Sequence, residues 1–312
     1  MSAASVLIDA SEAAALAVEF PAWMQQIQND METALDRFLS SPAQVPARLH
    51  EAMRYAVLGG GKRVRPLLVF GAGSLFGASP VLLARVAAAL EMIHVYSLVH
   101  DDMPCMDDDA LRRGKATVHV QYDEATALLV GDALQSQAFL LLSEPGDLID
   151  PARQMAMLNM LAHAAGSLGM CGGQAIDLDS VGMQLSLPQL EQMHRLKTGA
   201  LLRAAVLLGA SSGRQLTPEQ YGALERYAGA IGLAFQVVDD ILDATADSAT
   251  LGKTAGKDAV DNKPTYVSIL GLDESRALAR KLRDDANEAL LPFGDSALRL
   301  RQIADLIVQR QA

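Results

Sequence analysis

Two aspartate-rich segments, residues 101–109 and 239–243, each interrupt an apolar stretch of the chain. Ile93, Val95, Leu98 and Val99 precede the first, and Ile231, Leu233, Phe235, Val237 and Val238 precede the second. Acidic helix ends that face solvent usually have polar flanks. Carboxylates among apolar neighbours are rare unless they are paired or hold a cation. The flanks therefore point inward, toward a fold with a carboxylate-lined interior. Oxygen-only donors of this kind suit Mg²⁺, which takes a few carboxylates and completes its shell with water and phosphate oxygens.

Spacing separates the two segments. On a helix Asp239 and Asp243 share a face one turn apart, with Asp240 about a quarter turn away. Asp101 and Asp107 would not share a face on a straight helix. Pro104 disfavours helical geometry at Met103, so the helix is expected to end or kink there and let Asp107 swing back. Two such surfaces, facing each other, could hold several Mg²⁺ ions and one diphosphate.

Half of the 312 residues are hydrophobic and only 4% are aromatic. That balance favours helix over sheet. The net charge of −11 argues against nucleic acid as the main partner. No uninterrupted apolar run of about 18 residues is evident, so no transmembrane segment is expected. Residues 1–20 lack a basic leader and carry Asp9, Glu12 and Glu19, unlike a signal peptide. The two cysteines, Cys105 and Cys171, fit a reducing, cytoplasmic setting. Cys105 sits inside the acidic cluster, but a soft thiol is a poor Mg²⁺ ligand.

Helices are expected near 21–40, 46–59, 65–76, 80–103, 123–143, 151–170, 188–210, 217–246, 273–290 and 295–310. Pro80, Pro151, Pro188 and Pro218 mark good starts. Small residues at Ala228, Gly229, Ala230, Gly232 and Ala234 allow a neighbour to approach the 217–246 helix closely. Long loops are expected over 104–119 and 247–265. No strand-like alternation, fixed-period repeat or interdomain linker stands out.

The cations gather near these loops. Gly59-Gly60-Gly61-Lys62-Arg63-Val64-Arg65-Pro66 sets three glycines and three cations before a helix, and Leu111-Arg112-Arg113-Gly114-Lys115 follows the first acidic segment. Glycines permit close backbone approach, helix N-termini favour anions, and Arg suits phosphate oxygens. Alone, either stretch reads as a solvated loop. Lys197-Thr198 and Lys253 gain meaning only beside such a site. His94 lies two turns before Asp101 on its face, which suits either a packed core histidine or a site residue. It also belongs to one of two Glu-x-x-His pairs, Glu91/His94 and Glu191/His194, a pattern found in di-iron carboxylate bundles. That alternative leaves both aspartate segments and the cations unexplained.

Taken together, the chain resembles the trans-isoprenyl diphosphate synthases, and within that family its farnesyl-forming bacterial branch. The resemblance runs from about residue 20 to the C-terminus. It rests on the 59–66 stretch, on Asp101 to Asp107 with the trailing Arg112-Arg113-Gly114-Lys115, on Gly172-Gly173-Gln174 and on Lys197-Thr198-Gly199. Phe235 to Asp243, followed by Leu251-Gly252-Lys253, completes it. Ala116-Thr117 stands where the family usually has Pro-Thr.

The resemblance implies an all-α, single-domain isoprenoid synthase fold of ten or more helices around a central cavity, spanning 21–312, with 1–20 as an extension, and usually a homodimer. It implies an allylic diphosphate held through Mg²⁺, three ions per site, by Asp101, Asp107 and Asp239, with Asp102 and Asp243 in support. Arg112, Lys197 and Lys253 would hold its phosphates. Isopentenyl diphosphate would sit on Lys62, Arg65, His94 and Arg113, with Gly61 and Lys263 in the substrate-binding set. Thr198 and Gln236 would turn oxygen dipoles toward the allylic cation. Tyr96 and Ser97 would set product length, because the farnesyl-forming branch pairs an aromatic five residues before the first aspartate with an insertion such as Pro104-Cys105. The implied product is farnesyl diphosphate, with geranylgeranyl diphosphate as the alternative. A terpene cyclase needs no second basic loop, and a catalytically silent subunit need not keep both aspartate segments.

Overall fold

The computed structural model describes residues 19–146, 148–245 and 264–310. Helices carry almost all of it. In chain order they are α1 (Phe20–Phe38), α2 (Ala47–Val57), α3 (Val64–Ser74), α4 (Pro80–Asp101), α5 (Val118–Gln121), α6 (Glu124–Ser143) and α7 (Pro151–Ala165). Next come α8 (Met170–Asp179), α9 (Leu187–His194), a π-helical turn (Arg195–Gly199), α10 (Ala200–Ser211) and α11 (Pro218–Thr245). The chain ends with α12 (Tyr266–Leu270), α13 (Leu272–Ala289), a 3₁₀ turn (Leu291–Ala297) and α14 (Leu298–Gln309). Proline opens α4, α7 and α11, where its missing N–H costs nothing. Asp123 and Asp150 cap α6 and α7 by accepting from Thr126 N at 2.6 Å and Arg153 N at 3.0 Å.

The core centres on α4 and α10. In α4 the side chains of Leu83, Val86, Leu90, Met92 and Ile93 are buried all round the helix, and in α10 so are Leu201, Leu202 and Ala204 to Ala210. Each large aliphatic side chain sealed from water contributes about 1.5–3 kcal/mol. α4 packs on α6 and α3, α10 on α3 and α11, and α11 on α13.

The structure differs from the expected organisation in several places. Residues 171–187, left without an element, contain α8. The expected helix 188–210 is three pieces, because the π turn widens it at Lys197 and Thr198. The 104–119 loop holds a two-residue hairpin, Leu111–Arg112 against Lys115–Ala116, and the start of α5. By length and composition α4 and α6 could each cross a membrane, which the search for an uninterrupted apolar run did not anticipate. They pack on each other instead, and α4 is mostly buried. Most of the 1–20 extension and of the 247–265 loop, including Lys253 and Lys263, lies outside the described residues.

Candidate active site

The site forms where α4 stops. Its helix ends at Asp101, and the chain doubles back so that Asp107 N donates to Asp101 O at 2.9 Å and Asp109 N to Asp102 O at 3.1 Å. Asp101 and Asp107 thereby line one cavity of about 280 Å³. Across it, α11 presents Gln236, Asp239 and Asp240, and the π turn presents Lys197 and Thr198. Arg65, His94, Asp109, Arg112, Asp177 and His194 also line it. The cavity adjoins a second of about 320 Å³ that shares Asp101, Lys197 and Thr198. This second space is walled by Tyr96, Ser97, Met170, Cys171, Leu178 and Leu201. Tyr96 is held from two sides: its hydroxyl lies 3.5 Å from Cys171 Sγ, and its ring meets the His100 ring edge-on.

Hydrogen bonds set the direction of several of these groups. Lys197 Nζ donates to Asp177 Oδ2 at 2.5 Å. Burial works against its charge, but Asp101, Asp177 and Asp107 outweigh burial and hold the ammonium above its usual range. Gly173 permits this arrangement, since a Cβ there would collide with the Lys197 backbone. Thr198 Oγ1 donates to Gln236 Oε1 at 3.1 Å, and Gln236 Nε2 to Asp240 Oδ1 at 3.0 Å. Tyr266 N closes the chain by donating to Asp240 Oδ2 at 2.7 Å. Gln174 donates to Asp101 Oδ1.

The cations divide into two kinds. Arg63 is structural: it is buried, and it donates to Glu91 at 2.7 Å and to Glu32. Arg65 is also buried, yet its Nε has no partner among the described residues. Burial lowers its pKa to about 10, with Glu91 opposing and Arg113 adding to the fall, so it stays charged at neutral pH. A buried cation with an unsatisfied donor favours an anion beside it. Burial and the charges of Arg65, Arg113 and Arg112 hold His94 well below its usual range, so its imidazole is neutral. Gly59, Gly60, Arg112, Arg113 and Lys115 line a smaller recess of about 80 Å³. Positive φ values at Gly59, Gly60 and Gly61 let that loop pass there. Gly61 lies against the Arg113 guanidinium, and Lys62 lies within electrostatic reach of Arg113 and Asp239.

Two expected carboxylates sit elsewhere. Asp102 faces Arg112 as a bidentate partner, accepting from Nε at 2.9 and 3.1 Å, and burial pushes its carboxyl up to about 6 against the pull of that guanidinium. Asp243 is buried outside the 280 Å³ cavity, with Oδ1 unpartnered among the described residues. Glu91 of the first Glu-x-x-His pair is bound to Arg63, and His194 of the second stacks on Tyr266. The di-iron alternative fails on these placements. Sequence reasoning did not single out Asp177, Asp240 or Gln174 as site groups, although Gln174 belongs to a quoted motif. It also missed Arg310, whose guanidinium donates to Asp239 Oδ1 at 2.6 Å and for which local sequence offers no signal.

Among the described residues, no three metal-binding side chains converge on one point. The carboxylates instead face one another across a cavity with cations on its rim. Their oxygen-only donors would suit Mg²⁺.

The polyprenyl synthetase model matches residues 46–290. The chain belongs to the polyprenyl synthetase family. It is 47% identical over 298 residues to the farnesyl diphosphate synthase of Escherichia coli (strain K12), covering 94% of this chain and 99% of that one. It is 45% identical to geranylgeranyl pyrophosphate synthase 7, chloroplastic, of Arabidopsis thaliana, covering 94% and 84%. Among solved structures, a geranyltransferase from Helicobacter pylori complexed with magnesium and isoprenyl diphosphate superposes with a TM-score of 0.82 at 30% identity, covering 93% and 97%. The family accounts for the all-α architecture.

Proposed function

We propose that this protein is a farnesyl diphosphate synthase, joining dimethylallyl or geranyl diphosphate head-to-tail to isopentenyl diphosphate. One observation carries the reading: Asp101, Asp107 and Asp239 share a cavity with Lys197 and Arg112, and it adjoins an apolar space lined by Tyr96. The relatives named farnesyl diphosphate synthase support it. The Arabidopsis thaliana relative favours a twenty-carbon product instead; the bulk of Tyr96 in the apolar space argues for fifteen.

Mg²⁺, three ions in this reading, would be held by Asp101, Asp107 and Asp239 and would neutralise charge as the diphosphate leaves. Lys197 and Arg112 bind the departing phosphate oxygens, with Lys253 assigned to the same task by resemblance and Lys263 to substrate binding. Asp102 acts through Arg112, fixing its fork. Arg65, Lys62 and Arg113 hold isopentenyl diphosphate beside neutral His94. Thr198 and Gln236 turn oxygen dipoles toward the allylic cation, which the isopentenyl double bond attacks. Ser97, Met170 and Leu201 keep water from that cation. The proton then passes to the departed diphosphate, so no protein carboxylate serves as base. Exposed Leu128, Leu129 and Leu140 on α6 support a homodimer through that helix. The free cysteines support a cytoplasmic setting.

Incubation with Mg²⁺, dimethylallyl diphosphate and isopentenyl diphosphate should give a fifteen-carbon main product, and Tyr96→Ala should shift it to twenty carbons or more. Longer chains from the wild type, or an unchanged distribution in the variant, would refute the assigned product length. No condensation at all would refute the enzyme.

A further inference from the structure

The apolar space beside the carboxylates is bounded by a side chain held at both ends. Tyr96 of α4 lines that cavity of about 320 Å³ and is itself buried. Its ring meets the His100 ring edge-on at 5.8 Å, and His100 Nε2 sits 3.0 Å from Leu128 O of α6. At the far end the hydroxyl lies 3.5 Å from Cys171 Sγ on α8, and the Gln135 side chain of α6 is a second hydrogen-bond partner. Burial, with the thiol adding to it, raises the pKa of the hydroxyl, so it stays protonated and can donate. Three helices thus meet on one tyrosine.

The backbone beside Cys171 is fixed. A Cβ on Gly172 would lie 2.0 Å from Ser167 O, and one on Gly173 would lie 2.0 Å from Lys197 N, so the first turn of α8 is pressed between two other backbone segments. Packing of this kind sets the direction of the Cys171 side chain. Its thiol is free and lines the same cavity as Tyr96. Bulk alone does not make a stop, because an unanchored ring of the same size can change rotamer. We infer that Cys171 is a positioning residue for product length: with Gln135 it anchors the Tyr96 hydroxyl, so that the ring cannot swing aside as a chain grows toward it. The inference rests on the synthase reading and on Tyr96 as the stop.

The test is the ratio of twenty- to fifteen-carbon product formed from geranyl diphosphate, excess isopentenyl diphosphate and Mg²⁺. It is measured for wild type, Tyr96→Phe, Cys171→Ala, Cys171→Ser and the double variant of Tyr96→Phe with Cys171→Ala. Tyr96→Phe keeps the ring and removes the anchored group, and Cys171→Ala removes its partner. Each should raise the ratio about two- to tenfold, the span that one hydrogen bond of ordinary net strength allows. The double variant should rise no further than Tyr96→Phe, because a phenyl ring has no bond to lose at position 171. Cys171→Ser supplies a hydroxyl partner and should return toward the wild-type ratio, whereas a role in packing alone would leave it with Cys171→Ala. An unchanged ratio in either single variant, effects that multiply in the double variant, or a serine variant that matches alanine overturns the anchor. If Tyr96→Ala still lengthens the product in that case, Tyr96 stands as the stop and only the anchor falls. An unchanged ratio in Tyr96→Ala overturns both, and absence of condensation in the wild type overturns the synthase reading with them.

Discussion

The two aspartate segments make similar surfaces in opposite ways. At the end of α4 the backbone does the work: the helix stops at Asp101, and the turn through Pro104 brings Asp107 back to it. In α11 the helix runs on uninterrupted, and its periodicity distributes the carboxylates among different partners. Asp239 meets Arg310, Asp240 ties Gln236 to α12, and Asp243 is buried away from the cavity. A broken helix can thus gather two carboxylates six residues apart, whereas a continuous one commits only part of its set to the site. The α11 wall is braced from behind by Tyr266, whose N–H donates to Asp240.

If both walls serve one reaction, Asp101→Ala and Asp239→Ala should each lower kcat by about a thousandfold or more, because each removes a group that answers charge developing in the transition state. Circular dichroism should remain that of a folded helical protein. A large loss from only one would break the symmetry. Gly173→Ala probes the π turn between the walls. Overpacking against the Lys197 backbone should cost about 1–3 kcal/mol in denaturant unfolding, with kcat falling more than KM rises. Unchanged stability would show that α8 can move aside.

A pH-dependent effect is expected at the cavity lining, where His194 stacks on Tyr266. His194 is buried with both ring nitrogens unpartnered among the described residues, and burial lowers its pKa to about 3. The unfolded chain therefore binds a proton near pH 6.5 that the folded chain refuses until about pH 3. Stability should fall as pH drops through that window, by up to about 1.4 kcal/mol per pH unit. His194→Phe should flatten the part of the slope that belongs to this group. An identical slope in the variant would mean that His194 is solvated.

Much of this was legible in the sequence. Prolines in the first helical turn fixed the starts of α4, α7 and α11, since that position needs no N–H. The end of α4 followed from the constraint that Pro104 places on Met103. Residues 171–179 carry no helix signal in the sequence, because Gly172 and Gly173 lower the propensity and their use, close approach to another backbone, is a tertiary fact. The π turn was missed for a like reason: Lys197-Thr198-Gly199 has no periodicity of its own. The wheel set Asp243 beside Asp239, but a shared face does not fix which side chain reaches a cavity. Arg310 was invisible because its partners lie 71 and 75 residues away in sequence.

The central claim is that one ligand is held by both walls at once. Pyrophosphate-dependent Mn²⁺ binding tests it most directly, measured by calorimetry on wild type, Asp101→Ala and Asp239→Ala. Shared binding predicts that pyrophosphate tightens Mn²⁺ in the wild type and that either substitution abolishes the tightening. Full pyrophosphate-dependent tightening in either variant would contradict it, because the remaining wall would then suffice.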